Sequence, residues 1–229
     1  ALRLRRLGRG DGGAVLTNTE VKEIVVKGGR ASAVKLRSGA TIEGRRFVAS
    51  AIDAPATMRM TGEELFPEAV RQKLDAWHWG NHSLVTLHLA LKKAPVYRSR
   101  AFDPDIDKAF NIFFGMDDID QGRSCFEDCA AQKVPEVLMG NGACNSAFDP
   151  TYAPAEGHSA FWWPFAPYAI AGDPQTWDRR KGEYTQRLLD VWREYASNLD
   201  DDNVRAKFLF TPLDVERHAA NMVKGAVRM

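Results

Sequence analysis

The sequence predicts an α+β fold, a mixed and largely antiparallel sheet with flanking helices. Residues 83–91 alternate between two faces, with leucines on one of them, which is the period of a half-buried strand. Residues 177–195 instead carry apolar side chains at helical spacing, as an amphipathic helix does. Both periods occur in one chain without a repeat of fixed length, which favours strands and helices that interlock.

Three strand-like runs come first, at residues 21–26, 31–36 and 40–42. The segments 27–30 and 37–39 separate them, and both contain glycine. Glycine permits the positive φ that tight hairpin turns require. The sequence therefore predicts a three-stranded meander.

Residues 47–52 form the next apolar run, and they do not alternate. Such a run is typical of a strand that is covered on both faces. It ends at Asp53, followed by Ala54 and Pro55, which is a typical beginning of a helix. We therefore expect a buried strand that leads into a helix, and a domain boundary near residues 53–62.

The remaining elements follow from the same two periods. Val70, Leu74 and Trp77 recur at helical spacing and predict an amphipathic helix of about three turns over residues 67–79. Further helices are expected over residues 117–132 and 177–195, and further strands over residues 83–91, 110–114, 159–170 and 205–210.

Charge and composition exclude several classes of protein. Lys and Arg number 31 against 30 Asp and Glu, and the formal net charge of +1 offers no field that would attract nucleic acid. No apolar run reaches the roughly 18 residues that a transmembrane helix needs. We therefore expect a soluble cytoplasmic protein that binds no nucleic acid and has no transmembrane segment, while a peripheral contact with a membrane stays open.

Two short patterns resemble known sites in spacing alone. Residues 8–13 match G-x-G-x-x-G, but a dinucleotide site needs a strand before the glycines and a helix after them. A turn is the favoured interpretation. Cys125, Cys129, Cys144 and His158 are conceivable zinc ligands, although their spacing is not that of a zinc finger. Buried thiols and no metal are expected, with a zinc hydrolase using Cys125, Cys129 and His158 as an alternative.

Aromatic residues are concentrated in residues 161–165, with Tyr168 just beyond. Strand alternation would send Trp162 and Trp163 to opposite sides. One face then packs in the core while the other lines an apolar pocket, because rigid aromatic rings supply contact area with few rotatable bonds. The alternative is that both faces are simply covered.

The ordered sequence of residues 13–51 resembles the middle of a flavin-dependent amine oxidase or a phytoene-desaturase-type oxidoreductase. Two later segments are similar to the phytoene-desaturase-like branch: FDPTYAP at residues 148–154 and TPLDVE at residues 211–216. The positions that carry the first resemblance are residues 13–21, Ile24, 29–31, Val34, Leu36, Gly39, Ile42 and 48–51.

The resemblance implies two domains. Residues 1–57 would be a partial FAD-binding domain of the glutathione-reductase type, contributing the meander and the strand after it. Residues 58–229 would be the substrate-binding domain, a sheet with helices on one side and the flavin on the other. The resemblance and the aromatic pattern together place Val21, Ala51 and Asp53 on the cofactor side and Trp162, Trp163, Phe165 and Tyr168 on the substrate wall.

The sequence also departs from this family. It contains neither the N-terminal glycine fingerprint that binds FAD nor the C-terminal glycine-rich stretch, and Ala51 stands where relatives often carry Asn. We therefore expect the central portion of a larger flavoprotein, with weak or absent binding of FAD and no activity by this chain alone. An apolar edge left open would favour self-association.

The function that follows from the resemblance is oxidation of an apolar organic substrate by hydride transfer to flavin. The cofactor would perform the chemistry, so the sequence assigns no catalytic residue. The alternative hypothesis is a non-enzymatic module that binds an apolar ligand or a partner chain through the same aromatic surface.

Overall fold

The computed structural model describes residues 12–80, 82–219 and 221–225. Its helices and antiparallel sheets confirm the predicted α+β fold class. The chain divides into two compact units, of which the first ends at Trp77 and the second begins at His78. The predicted domains, residues 1–57 and 58–229, rest on resemblance rather than on compactness and stay a prediction. Most of the predicted turn at residues 8–13 lies outside the described residues.

The first unit contains the predicted meander. Strands β1 (Val21–Lys27), β2 (Arg30–Leu36) and β3 (Thr41–Glu43) pair in that order, and both pairings are antiparallel. Gly28 and Gly29 join β1 to β2 with φ of 57° and 74°. This is the left-handed region that glycine adopts at little cost, so the turn prediction is confirmed.

The predicted strand over residues 47–52 is wrong. The structure assigns no strand there, and the side chain of Phe47 is 74% exposed. A strand exists by pairing with a neighbour, and within the described residues no strand is hydrogen-bonded to this segment. The helix expected after it is confirmed as α1 (Ala54–Thr61), whose first turn is capped by Asp53.

Helix α2 (Glu68–Asp75) confirms the helix expected over residues 67–79, but it is shorter. None of its residues is buried, and Val70 on the predicted apolar stripe is 38% exposed. The helical period is therefore present as predicted, whereas the burial that such a stripe normally implies is not found in the first unit.

A six-stranded antiparallel sheet forms the second unit. Its main path runs β6, β7, β8, β5, β9, and β4 also pairs with β8. The strands are β4 (His82–Leu84), β5 (Thr86–Leu91), β6 (Ile112–Phe114), β7 (Gly140–Ala143), β8 (His158–Pro167) and β9 (Val204–Phe210). Sequence analysis predicted β6, β8 and β9 and a single strand over residues 83–91, which the structure divides into β4 and β5, but it did not predict β7.

The helices of the second unit are α3 (Ile119–Ala130), α4 (Thr176–Tyr195) and α5 (Pro212–His218). The Asp118 side chain caps α3, and Thr211 with Asp214 forms a reciprocal capping box on α5. Short 3₁₀ turns join the elements at Glu63–Leu65, Arg98–Ala101, Pro104–Lys108, Asn145–Ala147, Pro150–Tyr152 and Val223–Gly225. Within the described residues no helix is long and apolar enough to cross a membrane.

Helix α4 packs against one side of the sheet and forms the core with it. The ring of Trp192 lies 6.1 Å from that of Trp162 and 5.6 Å from that of Phe114. We call this side of the sheet the covered face. Its residues are Leu87, Leu89, Leu91, Ile112, Phe114, Ala160, Trp162 and Leu209.

Candidate functional site

The other side of the six-stranded sheet carries the candidate site, which we call the open face. Strand pairing places residues with the same register on the same side of a sheet, so the membership of this face follows from the ladders. Its residues are Thr86, His88, Ala90, Phe113, Asn141, Ala143, Ser159, Phe161, Trp163, Ala206, Phe208 and Phe210.

Aromatic side chains on the open face remain largely accessible. Phe113 on β6 is 46% exposed, Trp163 on β8 42% and Phe208 on β9 53%. Phe161 packs beside Trp163, with 4.5 Å between ring centroids. Asn141 separates Phe113 from Trp163, and His88 separates Phe161 from Phe208, so the rings alternate with polar side chains across the strands. Several exposed aromatic side chains on one sheet face indicate a binding surface more than isolated exposed residues do.

His88 lies in the middle of the open face. On the neighbouring strands it is opposite Phe161 of β8 and Phe208 of β9. Desolvation by the surrounding protein lowers the pKa of its imidazole below the ordinary value. The face therefore combines apolar rings with one imidazole that is neutral at pH 7.

Two features bound the open face. At the end of β8, Phe165 packs against Phe126 of α3, with 4.8 Å between ring centroids. At the outer strand β9, the Nζ atom of Lys181 lies 4.8 Å from the ring centroid of Phe208. The exposed rings thus lie between a helix at one end and a cation at one edge.

The structure separates the four residues that were predicted for the substrate wall. Trp162 is fully buried on the covered face, where its Nε1 donates to the carbonyl oxygen of Gly140 at 3.1 Å. Trp163 lies on the open face, and Phe165 lies at its α3 end. Tyr168 lies beyond β8 and donates its hydroxyl to Glu216. The split between Trp162 and Trp163 agrees with the predicted alternation, while the assignment of all four to a substrate wall stays a prediction.

Sequence analysis missed Phe113, His88 and Phe208 as members of the same surface. Alternation within β5 already indicated that His88 lies on the face opposite the leucines. Which residues of other strands share that face depends on the register that aligns β6, β8, β5 and β9, and the sequence of one strand does not predict this long-range pairing.

In the first unit, Asp53 is the predicted cofactor residue with the most unusual surroundings. It is 5% exposed, and its Oδ1 accepts a hydrogen bond from the backbone N–H of Ala56 at 2.7 Å. Its Oδ2 is buried and has no hydrogen-bond partner among the residues that the structure describes. Val21 is half-buried in β1, whereas Ala51 is exposed, and the cofactor assignment of all three stays a prediction.

The cysteines behave as apolar core residues. Cys125, Cys129 and Cys144 are free and buried. Burial raises the pKa of the Cys144 thiol, which keeps it protonated. In the part of the chain that the structure describes, no group of three or more His, Cys, Asp or Glu side chains is arranged to hold a metal, so the ligand set of the zinc alternative does not come together.

The sequence of the chain is similar to that of one curated protein. No protein-family model matches the chain. One of the subunits of limonene dehydrogenase from Castellaniella defragrans is 26% identical to it over 239 residues, which cover 98% of this chain and 43% of the relative. The chain thus spans less than half the length of the curated relative that it matches.

Several solved structures resemble the fold of the chain. An oxidoreductase from Methanosarcina mazei matches with a TM-score of 0.51 and 14% identity, over 91% of this chain and 40% of the neighbour. The PF1083 protein from Pyrococcus furiosus and reduced UDP-galactopyranose mutase each give a TM-score of 0.48, at 14% and 11% identity. They cover 90% and 94% of this chain, and this chain covers 40% and 41% of them. The first likeness shows that the chain shares the fold of part of an oxidoreductase.

Proposed function

We propose that the chain belongs to an FAD-dependent oxidoreductase, in which the open face holds an apolar organic substrate. The observation that carries the proposal is an accessible aromatic sheet surface whose other side already packs against α4. Similarity to part of a limonene dehydrogenase supports it, because limonene is a hydrocarbon and needs an apolar surface. The fold shared with an oxidoreductase supports it as well.

The open face suits such a substrate because it excludes water with rigid groups. Phe113, Trp163 and Phe208 offer large contact areas and lose few rotamers on binding. Removing a Phe side chain from water contributes about 1.5–3 kcal/mol, and a ligand seated on these rings gains part of that energy. A preformed apolar surface therefore orients a substrate that lacks polar groups of its own.

His88 supplies the proton acceptor in this proposal. Formation of a new C=C bond breaks two C–H bonds on adjacent carbons, one hydrogen leaving as a hydride with both electrons and the other as a proton that a neutral imidazole within reach accepts. The lowered pKa keeps His88 neutral at pH 7. A bound flavin supplies the acceptor for the two electrons. The imidazole and the aromatic rings would thus act on one substrate, since they share the open face.

Asp53 is the residue of the first unit that fits a cofactor. A buried carboxylate oxygen without a donor costs free energy, and a ligand that brings a hydroxyl or an N–H removes that cost. Flavin nucleotides carry both kinds of donor. Asp53 would therefore accept a hydrogen bond from the cofactor through Oδ2 while its Oδ1 continues to cap α1.

Titration of the purified chain with limonene tests the substrate part of the proposal. We expect saturable binding, and Phe208→Ser should weaken it about tenfold because an aromatic contact is lost. Phe102→Ser is the matched control, since Phe102 is 94% exposed and lies outside the sheet. Calorimetry or tryptophan fluorescence measures both affinities. Equal affinity of the Phe208 variant and the native chain would contradict the assignment of the open face.

The visible spectrum and flavin fluorescence of the chain mixed with FAD test the cofactor part. We expect little retention of the yellow chromophore by this chain, and Asp53→Asn should reduce any retention further because its amide turns an acceptor into a donor. Asn also preserves an oxygen that can cap α1. If Asp53→Asn does not change the retention of FAD, Asp53 is not part of the cofactor site. If the whole protein binds limonene but contains no flavin, a non-enzymatic binding module is favoured.

A further inference from the structure

Apart from the open face, the second unit has a cavity where β5 ends and β8 and β9 begin. Its volume is about 370 Å³. The side chains that define its chemistry are Lys92, Lys93, Ser146, Glu156, His158 and Arg205. Three of these carry a permanent positive charge and one is a carboxylate, so the lining is cationic.

In the described part of the chain, two of the three cations lack a carboxylate partner. Lys92 pairs with Asp202 at 2.5 Å. Within the described residues neither Lys93 nor Arg205 forms an ion pair by its side chain. The pKa of Asp202 is lowered, first by its hydrogen bond with Lys92 and further by the charges of Lys92 and Lys93, so Lys93 is near that carboxylate without bonding to it. Arg205 is left with its full donor capacity.

The backbone around the cavity is held by buried polar contacts. Asn203 is 6% exposed, and its Oδ1 accepts a hydrogen bond from the backbone N–H of Lys93 at 2.7 Å. Its Nδ2 donates to the carbonyl oxygen of Lys93 at 3.2 Å. The base of the Lys93 side chain is therefore fixed in place before any ligand arrives, which reduces the entropy lost on binding.

Buried Ser146 sets the donor that His158 presents. The Oγ atom of Ser146 accepts the backbone N–H of Ser159 at 3.0 Å and lies 3.1 Å from Nδ1 of His158. The other two atoms that could accept the Ser146 hydroxyl proton are farther from Oγ: the carbonyl oxygen of Ser159 is 3.5 Å away and the sulfur of Cys144 is 3.6 Å away. The geometry points to the Ser146 hydroxyl donating to Nδ1, which leaves the imidazole proton on Nε2 as a further donor.

We propose that this cavity binds the phosphate group of a small organic phosphate ester. Donors from Lys93, Arg205 and His158 outnumber the single acceptor Glu156, so an anion rich in oxygen matches the lining. Guanidinium binds phosphate through two parallel hydrogen bonds, which favours phosphate over chloride. The volume exceeds the space that a bare phosphate fills, so an organic part accompanies it.

Calorimetric titration with glycerol 3-phosphate at constant ionic strength tests the proposal. We expect a submillimolar dissociation constant and tighter binding than for inorganic phosphate. Arg205→Gln should weaken binding at least about tenfold, as the loss of charged hydrogen bonds predicts. Lys207→Gln is the matched control, because this substitution removes the same charge from the same strand. The side chain of Lys207 contacts Gln186 and does not line the cavity. Its dissociation constant should stay within about twofold.

The outcomes separate a built site from general attraction to positive charge. Equal losses in Arg205→Gln and Lys207→Gln, or no measurable heat with either anion, would overturn the proposal. Equal affinity for inorganic phosphate and glycerol 3-phosphate would overturn the ester part. Displacement of glycerol 3-phosphate by vesicles that contain phosphatidic acid, but not by neutral vesicles, would reassign the ligand to a lipid headgroup. Unfolding curves of both variants verify that they fold.

A spectroscopic measurement tests the role of Ser146 as a positioning residue. The ¹⁵N chemical shifts of His158 should show the proton on Nε2 in the native chain and a mixture of the two tautomers in Ser146→Ala. Ser146→Ala should also weaken the binding of glycerol 3-phosphate, whereas Ser146→Thr, which retains the hydroxyl, should restore the tautomer. Unchanged shifts in Ser146→Ala would contradict the assignment of the proton.

Discussion

Trp162 and Trp163 are adjacent in β8 and yet lie in opposite environments. Trp162 is fully buried beneath α4, whereas Trp163 is 42% exposed on the open face. Both sides of the sheet are rich in aromatic residues, so composition does not distinguish them. The difference arises because α4 packs its stripe of large side chains on one side, and the described residues of the second unit leave most of the other side accessible.

The contrast between the faces bears on function. The covered face gains free energy from burial within the unit itself, so its rings are explained by stability. The rings of the open face gain little from folding of this unit, and Phe113 and Phe208 are exposed to water. Such exposure is unfavourable unless something apolar binds there, and that is why the open face and not the covered one is the candidate site.

The largest expected effect comes from the two tryptophans themselves. Trp162→Ala should lower the free energy of unfolding by about 3–5 kcal/mol, since it creates a cavity and leaves the carbonyl oxygen of Gly140 without its donor. Trp163→Ala is the matched variant and should cost roughly 1 kcal/mol, mainly through its lost contact with Phe161. Urea unfolding followed by circular dichroism measures both. Equal losses would show that the faces are not energetically distinct.

Gly140→Ala should disturb both faces at once. A Cβ atom at this position would lie 2.0 Å from the carbonyl oxygen of Trp163 and 2.8 Å from the Cα of Pro164, so the backbones of β7 and β8 must move apart. Overpacking of this kind costs about 1–3 kcal/mol. Gly157→Ala is the control, because its nearest neighbour would be 3.5 Å away, an ordinary contact. Comparison of the urea midpoints tests the prediction, which fails if the two variants unfold together.

Much of the fold was predictable because the spacing of apolar residues along a strand or helix shows which of its faces is buried. The alternation of Leu87, Leu89 and Leu91 and the helical stripe of α4 identified the covered face directly. Strand β7 could not be found in this way, since its sequence Gly-Asn-Gly-Ala has low strand propensity. Gly140 is required by the close approach of the β8 backbone and Gly142 by the ring of Phe114 on β6, and both are tertiary constraints.

The candidate site was less predictable than the fold. Trp163 was found because one strand places it opposite Trp162, but Phe113, His88 and Phe208 join it only through the pairing of four strands. The predicted strand at residues 47–52 failed for a related reason. An apolar run indicates a strand only if another strand pairs with it, and a single segment carries no information about its partner.

Gly182→Ala should stabilise the helix that covers the sheet. Gly182 lies inside α4 and is exposed, and a Cβ atom added there meets no heavy atom within 4 Å. Alanine restricts the unfolded chain more than glycine, so the free energy of unfolding should rise by about 0.5–1 kcal/mol. Thermal unfolding measures the change. Because the open face is not involved, the affinity for limonene should stay constant, and a changed affinity would show that the two faces are coupled.

The smallest expected effect is the pH dependence contributed by His88 on the open face. Desolvation lowers the pKa of His88 in the folded protein, while in the unfolded chain the pKa has its ordinary value of about 6.5. Between these two values the unfolded chain binds more protons, so the free energy of unfolding falls as the pH is lowered through this window and is constant again below the folded pKa. His88→Gln should remove this component from the pH profile of urea unfolding, and an unchanged profile would contradict the prediction.

An NMR titration of His88 with and without limonene sharpens the comparison of the two faces. A ligand seated on the open face should desolvate the imidazole further and lower the pKa of His88 again, whereas a ligand bound elsewhere should leave that pKa unchanged.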